Sequence, residues 1–204
     1  MPSNPDAVDL GSPRDLELRL TFVPLGDTAR GYFFHCAVEP VRELGDPEAL
    51  RRCQEASGLE SPTRFFKYPI GALLRLLYQS AWALTDSCGS FEEALRQLGR
   101  RVATDFLDSP VGKTMLLLAG GNLKQLADTL PMAYRTGWGH GVGAVVWTAP
   151  STCRVSIHGN VIPAPYFEGI FLEVFQAAGA THLKVKGRQV GLAATEYELS
   201  WDAP

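Results

Sequence analysis

At 204 residues and 46% hydrophobic content, the chain can bury about 70% of its unfolded surface in one domain without covalent staples, and it is short for two domains. A formal net charge of −3 offers no global attraction to nucleic acid or an anionic membrane, and no apolar run reaches the roughly 20 residues that span a bilayer. Cys36, Cys53, Cys88 and Cys153 form no C-x-x-C pair, which argues against both a structural zinc site and a disulfide framework; with no signal-peptide pattern at the N-terminus, a cytoplasmic protein is expected.

Residues 1–14, rich in Pro, Ser, Gly and Asp, are expected to be a flexible lead-in to a single α+β domain over 15–204. Leu16, Leu18, Leu20 and Phe22 alternate with polar residues, so a strand is expected there, paired as an N-terminal hairpin with a second strand over Arg30 to Val38. Asp46-Pro47 predicts a capped helix to about Ser57. From Ile70 to Leu84 the apolar residues wrap most of a helix circumference, which demands cover on nearly all sides. That cover could come from within one subunit or from a second copy of the chain, with Leu73, Leu77, Tyr78 and Trp82 as the dimer interface.

Ser90-Phe91-Glu92-Glu93 matches a capping box and opens a helix to about Leu107. Ser109-Pro110 starts another through Ala119, and Asn122 caps a third through Tyr134. From Val142 to Trp201 the pattern runs strand, strand, helix, strand, strand. The helix carries Tyr166, Phe167, Ile170, Phe171, Val174, Phe175 and Ala178 on one stripe, with Glu168, Glu173 and Gln176 toward the other side. Residues 181–188 place His182, Lys184, Lys186 and Arg188 on one strand face. A hairpin through Gly187 to Gly191 would bring that cationic stripe beside Glu196 and Glu198. Central helices and a C-terminal four-stranded antiparallel sheet of β-β-α-β-β order, packed by helices, make an α+β fold.

Little reactive chemistry converges. Val111-Gly112-Lys113-Thr114 imitates the end of a phosphate-binding loop, but Leu107 stands where the loop's first glycine is required, and a helix precedes it instead of a strand. Arg96, Arg100 and Arg101 are offset by Glu92, Glu93 and Asp105 and read as a solvated face. His35, His140, His158 and His182 fall in predicted strands or loops without metal-ligand spacing, so no metal and no cofactor are expected. Gly137 to Gly143 is the most unusual stretch, because alternating glycines let a ligand approach backbone closely. Tyr134, Arg135, Trp138 and His140 are therefore the candidate ligand-binding residues, although a flexible link from helix into strand is the simpler explanation of the glycines.

Leu98-Gly99-Arg100, Pro110 to Lys113, Leu130-Pro131 with Tyr134-Arg135, Tyr166 to Gly169, Gly179-Ala180 and Tyr197 to Trp201 together resemble the myxobacterial paralogous domain of unknown function numbered 2378, over roughly residues 65–201. That family is similar in fold to a group holding vesicle-tethering TRAPP subunits, vinyl-reductase-type ligand-binding domains and haem nitric-oxide sensors. The resemblance implies a sensory or assembly module, often dimeric, and supplies no catalytic residues. The haem sensors' Tyr-x-Ser-x-Arg motif is absent, and no predicted helix offers an axial histidine. The expectation is a non-catalytic cytoplasmic signalling or assembly module, a homodimer binding a partner protein or small apolar ligand. Alternatives are a small-molecule sensor with an apolar pocket, or an unrecognised enzyme.

Overall fold

Sequence-local signals set most helix boundaries in the computed structural model, which describes residues 8–138 and 141–202. Ser12 caps α1 (Pro13–Thr21) by accepting from the Asp15 amide, and Asp46 caps α3 (Pro47–Ser57) by accepting from Glu48 and Ala49. Ser90 caps α5 (Phe91–Leu107), Ser109 caps α6 (Pro110–Ala119), and Asn122 accepts from the Gln125 amide at the start of α7 (Leu123–Trp138). Each side-chain oxygen satisfies an amide that the first helical turn leaves without a partner.

The expected strands over 16–22 and 30–38 are helical over 16–21 and 31–38. In α1 the Ser-Pro start outweighs the leucine alternation, and Asp15 and Arg19 pair one turn apart. In α2 (Gly31–Glu43), Phe33, Phe34, Ala37 and Val41 recur at helical spacing and are buried. A two-stranded antiparallel sheet does form, between β1 (Thr28–Arg30) and β2 (Lys67–Pro69), from segments far apart in the chain.

Helix α4 (Ile70–Cys88) runs through the centre of the helical layer. Its cover is intramolecular: α2, α3 and α5 pack around it, and Leu73, Leu77 and Tyr78 are fully buried. Those three therefore have no surface to give a second copy, which removes them as a dimer interface. Trp82 is only partly buried, and its indole donates to the Gly11 carbonyl. The expected lead-in over 1–14 is thus tied down at Gly11 and Ser12, while residues 1–7 lie outside the described residues.

The larger sheet is antiparallel with order β3-β4-β6-β5: β3 (Val142–Ala149), β4 (Thr152–His158), β6 (Ala194–Ser200) and β5 (Lys184–Gly191). Helix α8 (Ala164–Ala177) lies between the two hairpins in sequence, giving the expected β-β-α-β-β order. The register sets Lys186 opposite Glu198 and Arg188 opposite Glu196, so the cationic stripe meets its acidic partners, with an Arg188–Glu196 ion pair at 2.7 Å. The turn is tighter than expected: Gly187 is inside β5, and Leu192 and Ala193 connect the strands.

One sheet face packs on helices through Cys153, Val155, Ile157, Tyr197 and Leu199. The α8 stripe covers this face as expected, with Phe171 and Phe167 against Tyr197 and Phe175 against Trp201. Helix α5 packs closely on α8. A Cβ on Gly99 would lie 1.9 Å from the Tyr166 carbonyl oxygen, and one on Gly169 would lie 2.0 Å from that of Arg96, so each glycine admits the other helix's backbone.

Candidate functional site

Among the described residues of the glycine-rich region, the aromatic side chains face the interior. Tyr134 and Trp138, one helical turn apart on α7, turn inward and are buried, while Arg135 between them is exposed on the other side. Trp138 stacks on Phe33 at 4.4 Å between centroids and meets Phe167 at 5.4 Å and Tyr166 at 6.1 Å. These rings fill the space between helices and sheet. His140 and Gly139 lie outside the described residues. Gly141 holds a φ of 74°, and a Cβ there would sit 2.5 Å from the His158 carbonyl oxygen, so its glycine serves close backbone passage. The Tyr134 hydroxyl and the Asn160 amide nitrogen, both buried beside this crossing, lie near each other, and neither makes a well-formed hydrogen bond to any other described residue. Burial pushes the Tyr134 phenol well above its ordinary value.

A cleft of about 500 Å³ lies elsewhere, where α1, α5 and α8 converge on β5. Its polar floor is a buried network. The Arg19 Nε donates to Asp15 Oδ1 at 2.9 Å, Nη1 to the Val161 carbonyl at 2.9 Å, and Nη2 to Gln189 Oε1 at 3.5 Å. Asp15 Oδ2 also accepts from the Gly11 amide and the Tyr78 hydroxyl. Across the cleft, Arg96 donates from Nε and Nη2 to Glu168 Oε2 at 3.1 and 2.7 Å, and from Nη1 to Glu93. Glu168 Oε1 accepts from the Gly187 amide at 2.6 Å, tying α8 to β5. Burial works to raise the Glu93 carboxyl, but hydrogen bonds from Gln97 and Arg96 outweigh it and hold the group below its usual range.

Glu168 was expected on the solvent side of its helix; it is buried, because the start of α8 lies against both α5 and β5. The Arg96, Arg100 and Arg101 face is less solvated than expected. Arg96 reaches Glu168, Arg100 reaches Glu173 and Arg101 reaches Glu43, each on another helix. None of Asp15, Arg19 or Gln189 stood out in the sequence. The one available signal was an acid and a base four residues apart after a Ser-Pro cap, which usually marks an exposed pair.

The histidines divide differently from expectation. His35 lies on α2, not in a strand, and its Nε2 sits 2.5 Å from the Pro62 carbonyl oxygen in a small pocket behind the 57–62 loop. His158 is exposed at the end of β4, and His182 pairs with Asp202 at the surface. No group of three His, Cys, Asp or Glu side chains suited to a metal ion occurs among the described residues. Among those residues, too, no helix is long and apolar enough to cross a membrane.

The family described as "Protein of unknown function (DUF2378)" matches residues 23–202. No curated protein matches the chain. Among solved structures, the chain is similar to the Fe(II) unliganded H-NOX protein from K. algicida, with a TM-score of 0.64, 13% identity, and 86% of this chain and 97% of that chain covered. A variant H-NOX of T. Tengcongensis gives 0.62, 13%, 86% and 98%, and the Cs H-NOX gives 0.62, 12%, 86% and 97%. At these identities the likeness is one of fold.

Proposed function

Because the chain belongs to the DUF2378 family of proteins of unknown function and shares its fold with H-NOX proteins, we propose that it is a non-catalytic sensory or assembly module that binds a small ligand without haem. The observation that carries this reading is the cleft of about 500 Å³ between α1, α5, α8 and β5, which has the size and the mixed lining of a small-molecule site.

Haem distortion has been probed in the H-NOX family, so haem is the first ligand to weigh. Among the described residues, those lining the cleft do not fit it. Haem iron is held by His, Cys thiolate, Met or Tyr, and none of these lines the cleft. His35 is engaged with the Pro62 carbonyl, and the Cys36 thiol donates to Asp105. Burial pushes that thiol up to about 12, so it is not a thiolate at neutral pH. The aromatic stack of Phe33, Trp138, Tyr166 and Phe167 occupies the interior between helices and sheet.

Native mass spectrometry of the freshly purified protein, with a thermal-shift screen of small molecules, tests the proposal. A co-purifying mass or a stabilising ligand is expected, and incubation with haemin should leave no Soret band. A clean apo mass with no shift across the screen would sink the ligand reading, and a stoichiometric Soret band would sink its haem-free form.

A second reading, assembly as a homodimer, is favoured by α6, whose Val111, Leu117 and Leu118 are 69%, 81% and 76% exposed. Isolated apolar side chains are ordinary on a surface, but three on one short helix form a patch of the kind that interfaces use. Light scattering after size exclusion should then find a dimer that Leu117→Asp with Leu118→Asp converts to monomer. A monomer at high concentration would remove the idea.

A further inference from the structure

The cleft at the convergence of α1, α5 and α8 has an unbalanced hydrogen-bond inventory. An arginine carries five N–H donors. Among the described residues, three are engaged on Arg96, which leaves two, and three on Arg19, whose fourth is shared with the adjacent Tyr78 hydroxyl, which leaves one. The Arg19 bond to Gln189 is at the outer limit of a hydrogen bond, at 3.5 Å. The buried carboxylates facing them are, by contrast, already supplied. Asp15 accepts from Arg19, Gly11 and Tyr78, and Glu168 accepts from Gly187 and twice from Arg96. A ligand reaching this buried floor finds spare donors and few spare acceptors, the exposed Glu92 carboxylate being the unengaged acid of the lining.

Charge narrows the class further. Asp15, Glu92 and Glu168 against Arg19 and Arg96 leave the lining at a formal −1, and Glu93 beside Arg96 adds another negative charge. An anionic ligand could use the donors but would meet net repulsion in a partly desolvated space. A neutral oxygen acceptor meets the donors without that cost. Apart from Gln189, the remaining lining is apolar, with Leu10, Leu18 and Leu192 around the mouth.

Resting on the proposal that this cleft is the ligand site, we infer that its ligand class is a neutral aliphatic molecule with a carbonyl acceptor, an amide, ester or lactone. The carbonyl takes N–H donors from Arg19 and Arg96, and the hydrocarbon lies on the leucines. Neither guanidinium leaves its carboxylate partner, so binding needs no broken ion pair.

Isothermal titration of the purified full chain with decanamide, decanoate and decylammonium tests this. Decanamide should bind, with decanoate and decylammonium each at least about ten-fold weaker. Leu192→Trp, which fills the mouth, should weaken decanamide by at least about ten-fold while leaving the unfolding temperature within a few degrees. If that variant does not fold, Val8→Trp blocks the same mouth from the stretch before α1. Equal or tighter binding of the carboxylate or the ammonium, or binding unchanged by a folded mouth variant, overturns the class assignment. No decanamide binding alongside a co-purifying ligand of another class overturns the class alone. No decanamide binding together with a clean apo mass and an empty screen overturns both class and site.

Discussion

Glu168 joins three elements through one carboxylate, accepting from Arg96 on α5 and from the Gly187 amide of β5. Removing one partner from such a pair leaves the other charge poorly solvated, although Arg96 keeps 26% of its side-chain exposure, which moderates the loss. Glu168→Gln retains an acceptor for Gly187 but not the charge facing Arg96, and should lower the unfolding free energy by about 2 kcal/mol in urea titrations near pH 7. A loss below about 0.5 kcal/mol would show that solvent already carries most of the pair. The buried thiols make a second residue-level prediction. Burial raises Cys36 from 9.0 to about 12 and Cys153 to about 11. The folded state therefore holds these protons where the unfolded chain has lost them. Stability should be unaffected by these groups below about pH 9 and should fall as pH rises from there toward 12. Iodoacetamide at neutral pH should modify the partly exposed Cys88 first, which peptide mass mapping reads directly; prior labelling of Cys36 or Cys153 would contradict their burial.

At the scale of elements, the contact between α5 and α8 depends on two glycines placed against each other's backbone. Gly99→Ala and Gly169→Ala would each bring a methyl within about 2 Å of a carbonyl oxygen, so the helices must separate. Each is expected to cost about 3 kcal/mol, and the double variant less than the sum, since one displacement relieves both clashes. Gly137→Ala in α7 is the control. Its Cβ would meet only Phe33 at 3.9 Å, so helix propensity should leave stability unchanged or raised by about 0.5–1 kcal/mol. Calorimetric melting of the four variants separates close packing from a general intolerance of alanine. The same scale explains where expectation and structure part. The caps at Asp46, Ser90, Ser109 and Asn122 lie within three residues of the amides they satisfy, so the four helices they begin were legible from short windows. Residues 16–22 failed because Leu16 and Leu20, alternate positions of a strand face, also stand four apart on one side of a helix, and the Ser-Pro start decided between them.

For the molecule as a whole, the sequence by itself determined the α+β class, the β-β-α-β-β order of the C-terminal half, the charge-matched hairpin and the start and type of most helices. These rest on periodicity and capping, which act over a turn or a strand pair and are written in neighbouring residues. Tertiary structure alone decided what covers α4, where Tyr134 and Trp138 point, and that a cleft exists at all. Over-apolar α4 demanded a cover but could not say whose, and the chain supplies its own from α2, α3 and α5. The cleft's polar floor depends on Arg19 meeting residues 142 and 170 positions away, and on Arg96 meeting Glu168 across 72. No local pattern encodes such meetings, because the free energy that drives them comes from burying apolar surface of many elements at once and belongs to no single pair.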